Sequence, residues 1–195
     1  GGPGAIETPD LYPINHPFVR HIIEDTNESV GHHFVFKLHR DIDRDRDREE
    51  ITDRQRNEIK TYAQSEDAVK GFEDEIVIFT WKFYIPVELS LSTRFTHFFQ
   101  LKAVGGNDSH PILTLTGNNQ SGGDGYEIRH SPHNYDTELA RVPRSKLDGR
   151  WMRAYVRVQF SNEGNLRLIV GDLLTEEVVF DLERENIDMW RGTST

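Results

Sequence analysis

From Asp74 to Pro86, apolar side chains recur at every second position: Val77, Phe79, Trp81, Phe83 and Ile85. A period of two belongs to the β-pleat and not to the 3.6-residue helical turn, so this run specifies a strand with one continuous apolar face. Pro86 closes it, because proline cannot donate to a sheet ladder. Arg150 to Phe160 repeats the pattern, with Met152, Ala154, Val156, Val158 and Phe160 on one face and Trp151, Arg153, Tyr155, Arg157 and Gln159 on the other. Between and around these lie shorter strand-like segments at 32–39, 94–104, 111–116, 126–130, 166–170 and 177–181, separated by turn residues. Strands at steady spacing with turn signals between them predict an all-β fold, a jelly roll or concanavalin-like antiparallel sandwich.

Residues 1–29, with Pro3, Pro9, Pro13 and Pro17 and no sustained period, are expected to be an extended lead-in. Residues 30–195 are expected to form a single sandwich domain. At 32–39, Phe34, Phe36 and Leu38 are placed inward, with His33, Lys37 and His39 on the opposite face. At 94–104, Phe95, Phe99, Leu101 and Ala103 share a face with His97, leaving Gln100 and Lys102 on the other. Asn118 to Gly125 reads as a glycine-rich hairpin loop, and the stretch from His130 to Leu147 as a long loop.

The chain carries 33 acidic against 23 basic side chains, a formal net charge of −10. That argues against nucleic acid, whose nonspecific recognition uses a broad basic field. No segment approaches the ~18 apolar residues of a membrane-spanning helix. With 0 cysteines there is no disulfide framework, thiolate metal site or cysteine nucleophile. No histidine pair has the spacing of adjacent ligands on one strand face, so no metal set is read. Asp41, Asp43 and Asp45 have the opening spacing of a calcium loop, but Arg46 stands at its glycine position and Thr52 at its final glutamate. Only a looser calcium site stays open, and no other cofactor is expected. Nothing in the sequence bears on oligomeric state.

The stretch Thr52-Asp-Arg-Gln-Arg-Asn-Glu-Ile-Lys60 is the chemical centre of this reading. As a strand it sets Arg54, Arg56, Glu58 and Lys60 on one face and Gln55, Asn57 and Ile59 on the other. An arginine fork fits a carboxylate bidentately, and a lysine supplies a point charge beside it. A charged edge strand that resists aggregation has the same appearance.

Three segments, His39-Arg-Asp-Ile-Asp43, Asp53-Arg-Gln-Arg-Asn-Glu-Ile-Lys60 and His97-Phe-Phe-Gln-Leu-Lys102, resemble the β-jelly-roll polysaccharide lyases. Glucuronan and ulvan lyases look nearest and alginate lyases more distant; the likeness covers roughly residues 30–182. It implies a secreted or periplasmic enzyme that cleaves a uronic-acid polysaccharide by β-elimination. Carried over by position, Arg56, Gln100 and Lys102 become the catalytic candidates, Lys102 standing where the alginate lyases have histidine. Arg54, Glu58, Lys60, Tyr84, His39, Arg153 and Tyr155 become substrate-binding candidates. The late lysine- and tyrosine-bearing strand of those enzymes has no counterpart here, which leaves two expectations open: the sandwich lacks its last strand, or the proton-transfer group lies elsewhere.

The partner implied is an anionic polysaccharide. The competing reading is a noncatalytic module for acidic glycans on the same fold. A two-carboxylate glycoside hydrolase ranks third, because no Glu-x-Asp-x-Glu strand occurs.

Overall fold

The computed structural model describes residues 4–10, 20–46, 48, 50–120, 123–132 and 135–191. The expectations for Pro3, Pro13 and Pro17 lie outside the described residues. The chain is all-β. Its strands are β1 (Ile6–Glu7), β2 (Ile22–Asn27), β3 (Gly31–Phe36), β4 (Glu58–Ile59), β5 (Ile76–Tyr84), β6 (Thr96–Leu101), β7 (Leu113–Gln120), β8 (Gly123–His130), β9 (Thr137–Pro143), β10 (Trp151–Gln159), β11 (Gly164–Asp172) and β12 (Val178–Ile187).

Two compact units divide the chain, Gly1–Lys70 and Gly71–Thr195. The boundary expected after residue 29 falls in the turn that joins β2 to β3, strands that pair with each other from Ile22↔Phe36 to Asn27↔Gly31. Gly31 has φ 74°, a left-handed conformation that glycine adopts without a Cβ penalty.

The second unit is the expected antiparallel sandwich. Its sheets run β12-β11-β10-β5 and β6-β7-β8-β9. The alternation of β10 is realised as read: Met152, Ala154, Val156 and Val158 are buried against Leu113, Leu115, Tyr126, Ile128, Leu166, Leu168, Val170 and Phe180. On β5, Val77, Phe79, Trp81 and Phe83 pack against that core from an edge position. The Trp81 ring stacks on Phe99 at 4.4 Å.

Three expectations need correction in this unit. The glycine-rich loop is mostly ladder, since β7 and β8 stay in register out to Gln120↔Gly123. The long loop contains β9, whose mixed segment Thr137–Pro143 gave only a weak alternation. A register shift between His97 and Phe99 on β6 puts His97 opposite Thr116. An extra residue in a bulge reverses the side on which the following or preceding chain points, so His97 joins Gln100 and leaves the apolar face.

Among its described residues the first unit holds two small two-stranded sheets, β1-β4 and β2-β3. Phe34, Phe36 and Leu38 were placed inward but are 53%, 47% and 44% exposed. A two-stranded hairpin has no second layer of its own to cover them.

Candidate functional site

The charged stretch keeps its alternation although only Glu58–Ile59 belongs to a strand. Arg56 and Lys60 converge on Glu7, a carboxylate that is 7% exposed. Arg56 Nη1 lies 3.0 Å from Glu7 Oε2, Lys60 Nζ 2.5 Å from Oε1, and Arg46 Nη1 2.5 Å from Oε1. Arg56 Nε also faces Asp45 Oδ1 at 3.1 Å and Glu58 Oε2 at 3.8 Å. Burial works against ionisation of Glu7, but hydrogen bonds from Lys60 and Arg56 and the charge of Arg46 outweigh it and lower its pKa.

On the other side, Gln55 Nε2 donates to the carbonyls of His39, Arg40 and Asp43, and Asn57 Nδ2 to those of His21 and Lys37. Arg54 forks onto its exposed neighbour Asp53 at 2.9 and 2.8 Å. Arg46, Arg48, Arg54 and Arg56 line an open cleft of about 540 Å³, with Asp45 and Asp53 among them. The three aspartates of the calcium expectation diverge. Asp41 pairs with Arg40, Asp45 with Arg56, and Asp43 with His21 and His39. His39 thus belongs to a group with His21 and Asp43 whose facing atoms can hold a metal.

Gln100 and Lys102 belong to the second unit, Arg56 to the first. Lys102 lies one residue past the end of β6 and is exposed. Gln100 sits on the face of β6-β7-β8-β9 that points away from the sandwich core. Register sets two rows of side chains across that face. One row is Gln100, Thr114, Arg129 and Glu138; the next is His97, Thr116, Glu127 and Arg141. Neighbouring strands ~4.8 Å apart bring each row into mutual reach.

Glu127 is the hub of this face, 1% exposed. It accepts from Asn118 Nδ2 at 2.6 Å and pairs with both Arg129 and Arg141. Arg141 Nε also meets Glu138 Oε2 at 3.0 Å. Thr116 Oγ1 donates to Thr114 Oγ1 at 2.7 Å, so it accepts from His97 Nδ1–H, also at 2.7 Å. The lone pair of His97 therefore resides on Nε2. Burial, reinforced by the charge of Arg129, lowers the His97 pKa from 6.5 to about 4 and keeps the ring neutral at neutral pH. Asn118 Oδ1 is buried and accepts no hydrogen bond among the described residues.

Tyr84, Arg153 and Tyr155 sit on the outer face of the opposite sheet, where Tyr155 pairs in register with Thr80 and Ile169, and Arg153 with Lys82 and Gly171. Tyr84 leans on Trp151 with ring centres 5.6 Å apart. The core of the sandwich separates these three from Gln100. Sequence reading passed over Thr114, Thr116, Asn118, Glu127, Arg129 and Arg141. The run Leu113-Thr-Leu-Thr-Gly-Asn118 carried their signal, an alternation with a polar second face. Compared with known proteins, the chain matches no family model, no curated protein and no solved structure.

Proposed function

We propose that this chain is a secreted or periplasmic polysaccharide lyase that cleaves a uronic-acid-containing polymer by β-elimination on the outer face of β6-β7-β8-β9. The observation that carries the reading is a neutral imidazole, His97, one row from an amide, a hydroxyl and a guanidinium, Gln100, Thr114 and Arg129. Elimination removes the proton at C5 of a uronate, forms the C4–C5 double bond and breaks the bond from C4 to the glycosidic oxygen. The adjacent carboxylate opposes the developing carbanion. Arg129 and Gln100 hold that carboxylate and stabilise the enolate-like state, where preorganised donors have most effect. His97 Nε2 accepts the proton and, as imidazolium, returns it to the leaving oxygen.

In this reading Arg54 and Arg56, which line the cleft of the first unit, take no part in the elimination. No role is assigned to Lys102. A second reading, the noncatalytic glycan-binding module, is favoured by one observation. The two cations of the rows are matched by two carboxylates, Glu127 and Glu138, so the face is polar without being strongly basic.

The test is ultraviolet absorbance during incubation with glucuronan, ulvan, alginate and heparin-type polymers. The expected result is a rise with one of them that drops by about two decades or more in His97→Ala. The acid limb of its pH–rate profile should have its midpoint near 4 and not near 6.5, because His97 stays unprotonated down to that point. Saturable binding without any unsaturated product would replace the lyase with the module. Neither binding nor product with any polymer would overturn both.

A further inference from the structure

We infer that His21, His39 and Asp43 form a binding site for one first-row divalent transition metal ion, with Zn2+ the natural occupant. Three atoms meet there, two from the turn at residues 39–43 and one from His21, 18 residues before it. His21 Nε2 lies 3.2 Å from His39 Nδ1 and 3.3 Å from Asp43 Oδ1, and His39 Nδ1 lies 3.2 Å from Asp43 Oδ1. A zinc ion with bonds of ~2.0–2.1 Å to nitrogen and oxygen has tetrahedral ligand edges of about 3.3–3.4 Å. The triangle is therefore already the size of one face of that tetrahedron. His39 is 33% exposed along its side chain while the other two are 0% exposed, so the fourth position opens on the His39 side, toward water.

The surroundings set up these atoms as ligands. His21 Nδ1–H donates to Asp10 Oδ1 at 2.7 Å, which leaves the lone pair on Nε2 and gives the carboxylate–histidine pair that supports metal sites. That lone pair then faces Asp43 Oδ1, itself an acceptor, across 3.3 Å. A metal ion between these two atoms would take the place of a proton that bridges Nε2 to the Asp43 carboxylate. Asp43 is aimed by its other oxygen, which accepts from the His39 backbone N–H at 2.7 Å. Gln55 and Asn57 fix the backbone around the ligands through the carbonyls of residues 21, 37, 39, 40 and 43. Two imidazoles with one carboxylate select zinc and its neighbours, whereas calcium takes oxygen ligands alone.

The unit has reason to use such a tie. Its described buried side chains include no large hydrophobic residue, and the chain has no cysteine for a disulfide. Small units lacking an apolar core are commonly held by a metal.

The experiment uses the whole chain, freed of metal by a chelator and titrated by calorimetry with Zn2+, and by visible absorbance with Co2+. One equivalent of each should bind, at micromolar affinity or tighter, with tetrahedral Co2+ bands and no competition from Ca2+. His39→Ala should weaken binding by about 100-fold, and Asp10→Asn by about 10–100-fold with a shifted Co2+ spectrum. His33→Ala should change nothing, because its ring contacts the Gly31 carbonyl outside the site. Far-ultraviolet circular dichroism keeps the variants comparable. If His39→Ala fails to fold, the intact chain and Asp10→Asn still decide. Absence of one-equivalent binding by the intact chain overturns the site, as does undiminished binding by a folded His39→Ala or by Asp10→Asn.

Discussion

In residues 71–195 the buried side chains are chiefly Leu, Ile, Val, Phe and Met. In residues 1–70 the described ones are Glu7, Pro9, His21, Asp43 and Asp45. Both units build a hub on a buried glutamate, yet the hubs differ in what they join. Glu7 collects cations 39, 49 and 53 residues away: Arg56 and Lys60 flank its ladder partner Glu58, and Arg46 arrives from outside that short ladder. Glu127 collects arginines on its own strand and on the strand beside it, whose positions the ladder already fixes. The first hub therefore holds tertiary structure, while the second equips a face that would exist without it. An interior of charges is held by partners and loses its stability when one partner goes, whereas an apolar interior is held by area removed from water.

The strongest break of this contrast is in the sandwich. Phe180 is 2% exposed, and Phe180→Ala should cost about 3–5 kcal/mol. Urea unfolding followed by tryptophan fluorescence reads this unit alone, since Trp81, Trp151 and Trp190 all lie in it. A loss under ~1 kcal/mol would mean that the apolar core is not what holds the second unit.

Next comes Glu7→Gln, which leaves Arg46, Arg56 and Lys60 facing an amide. Their 27–32% exposure lets water relieve part of the penalty, so about 2–3 kcal/mol is expected, confined to the first unit. Hydrogen exchange should quicken at Ile6–Glu7 and Glu58–Ile59 while the tryptophan transition stays in place. Acid should mimic the variant. The Glu7 pKa is lowered by folding from its ordinary 4.5, so its contribution is complete above that pH and is lost as the pH falls below it. Unchanged exchange in Glu7→Gln would demote the hub to decoration.

The smallest effect is expected at Phe34, 53% exposed on the hairpin, where Ala should change stability by no more than about 0.5 kcal/mol. A loss above 2 kcal/mol in the same exchange measurement would show that the first unit has an apolar interior after all, and would erase the comparison.

How much was legible follows from which forces act locally. Val77 to Ile85 and Met152 to Phe160 announced their strands because an apolar side chain at every second position can satisfy only a two-faced sheet. The alternation of Gln55 and Asn57 against Arg56, Glu58 and Lys60 was likewise readable, and the two sets do point to different partners. A bulge leaves no mark in composition, so the crossing of His97 to the face of Gln100 was hidden.

By itself, then, the sequence determined the all-β sandwich, the faces of its long strands and the absence of any disulfide, because these depend on period and residue type. Tertiary structure alone decided that Tyr84, Arg153 and Tyr155 lie across the core from Gln100, and that Arg56 is gripped by Glu7. It also decided that His21, His39 and Asp43, spread over 22 positions, meet within 3.3 Å. Such meetings depend on long-range closure of the chain, whose geometry no local pattern encodes.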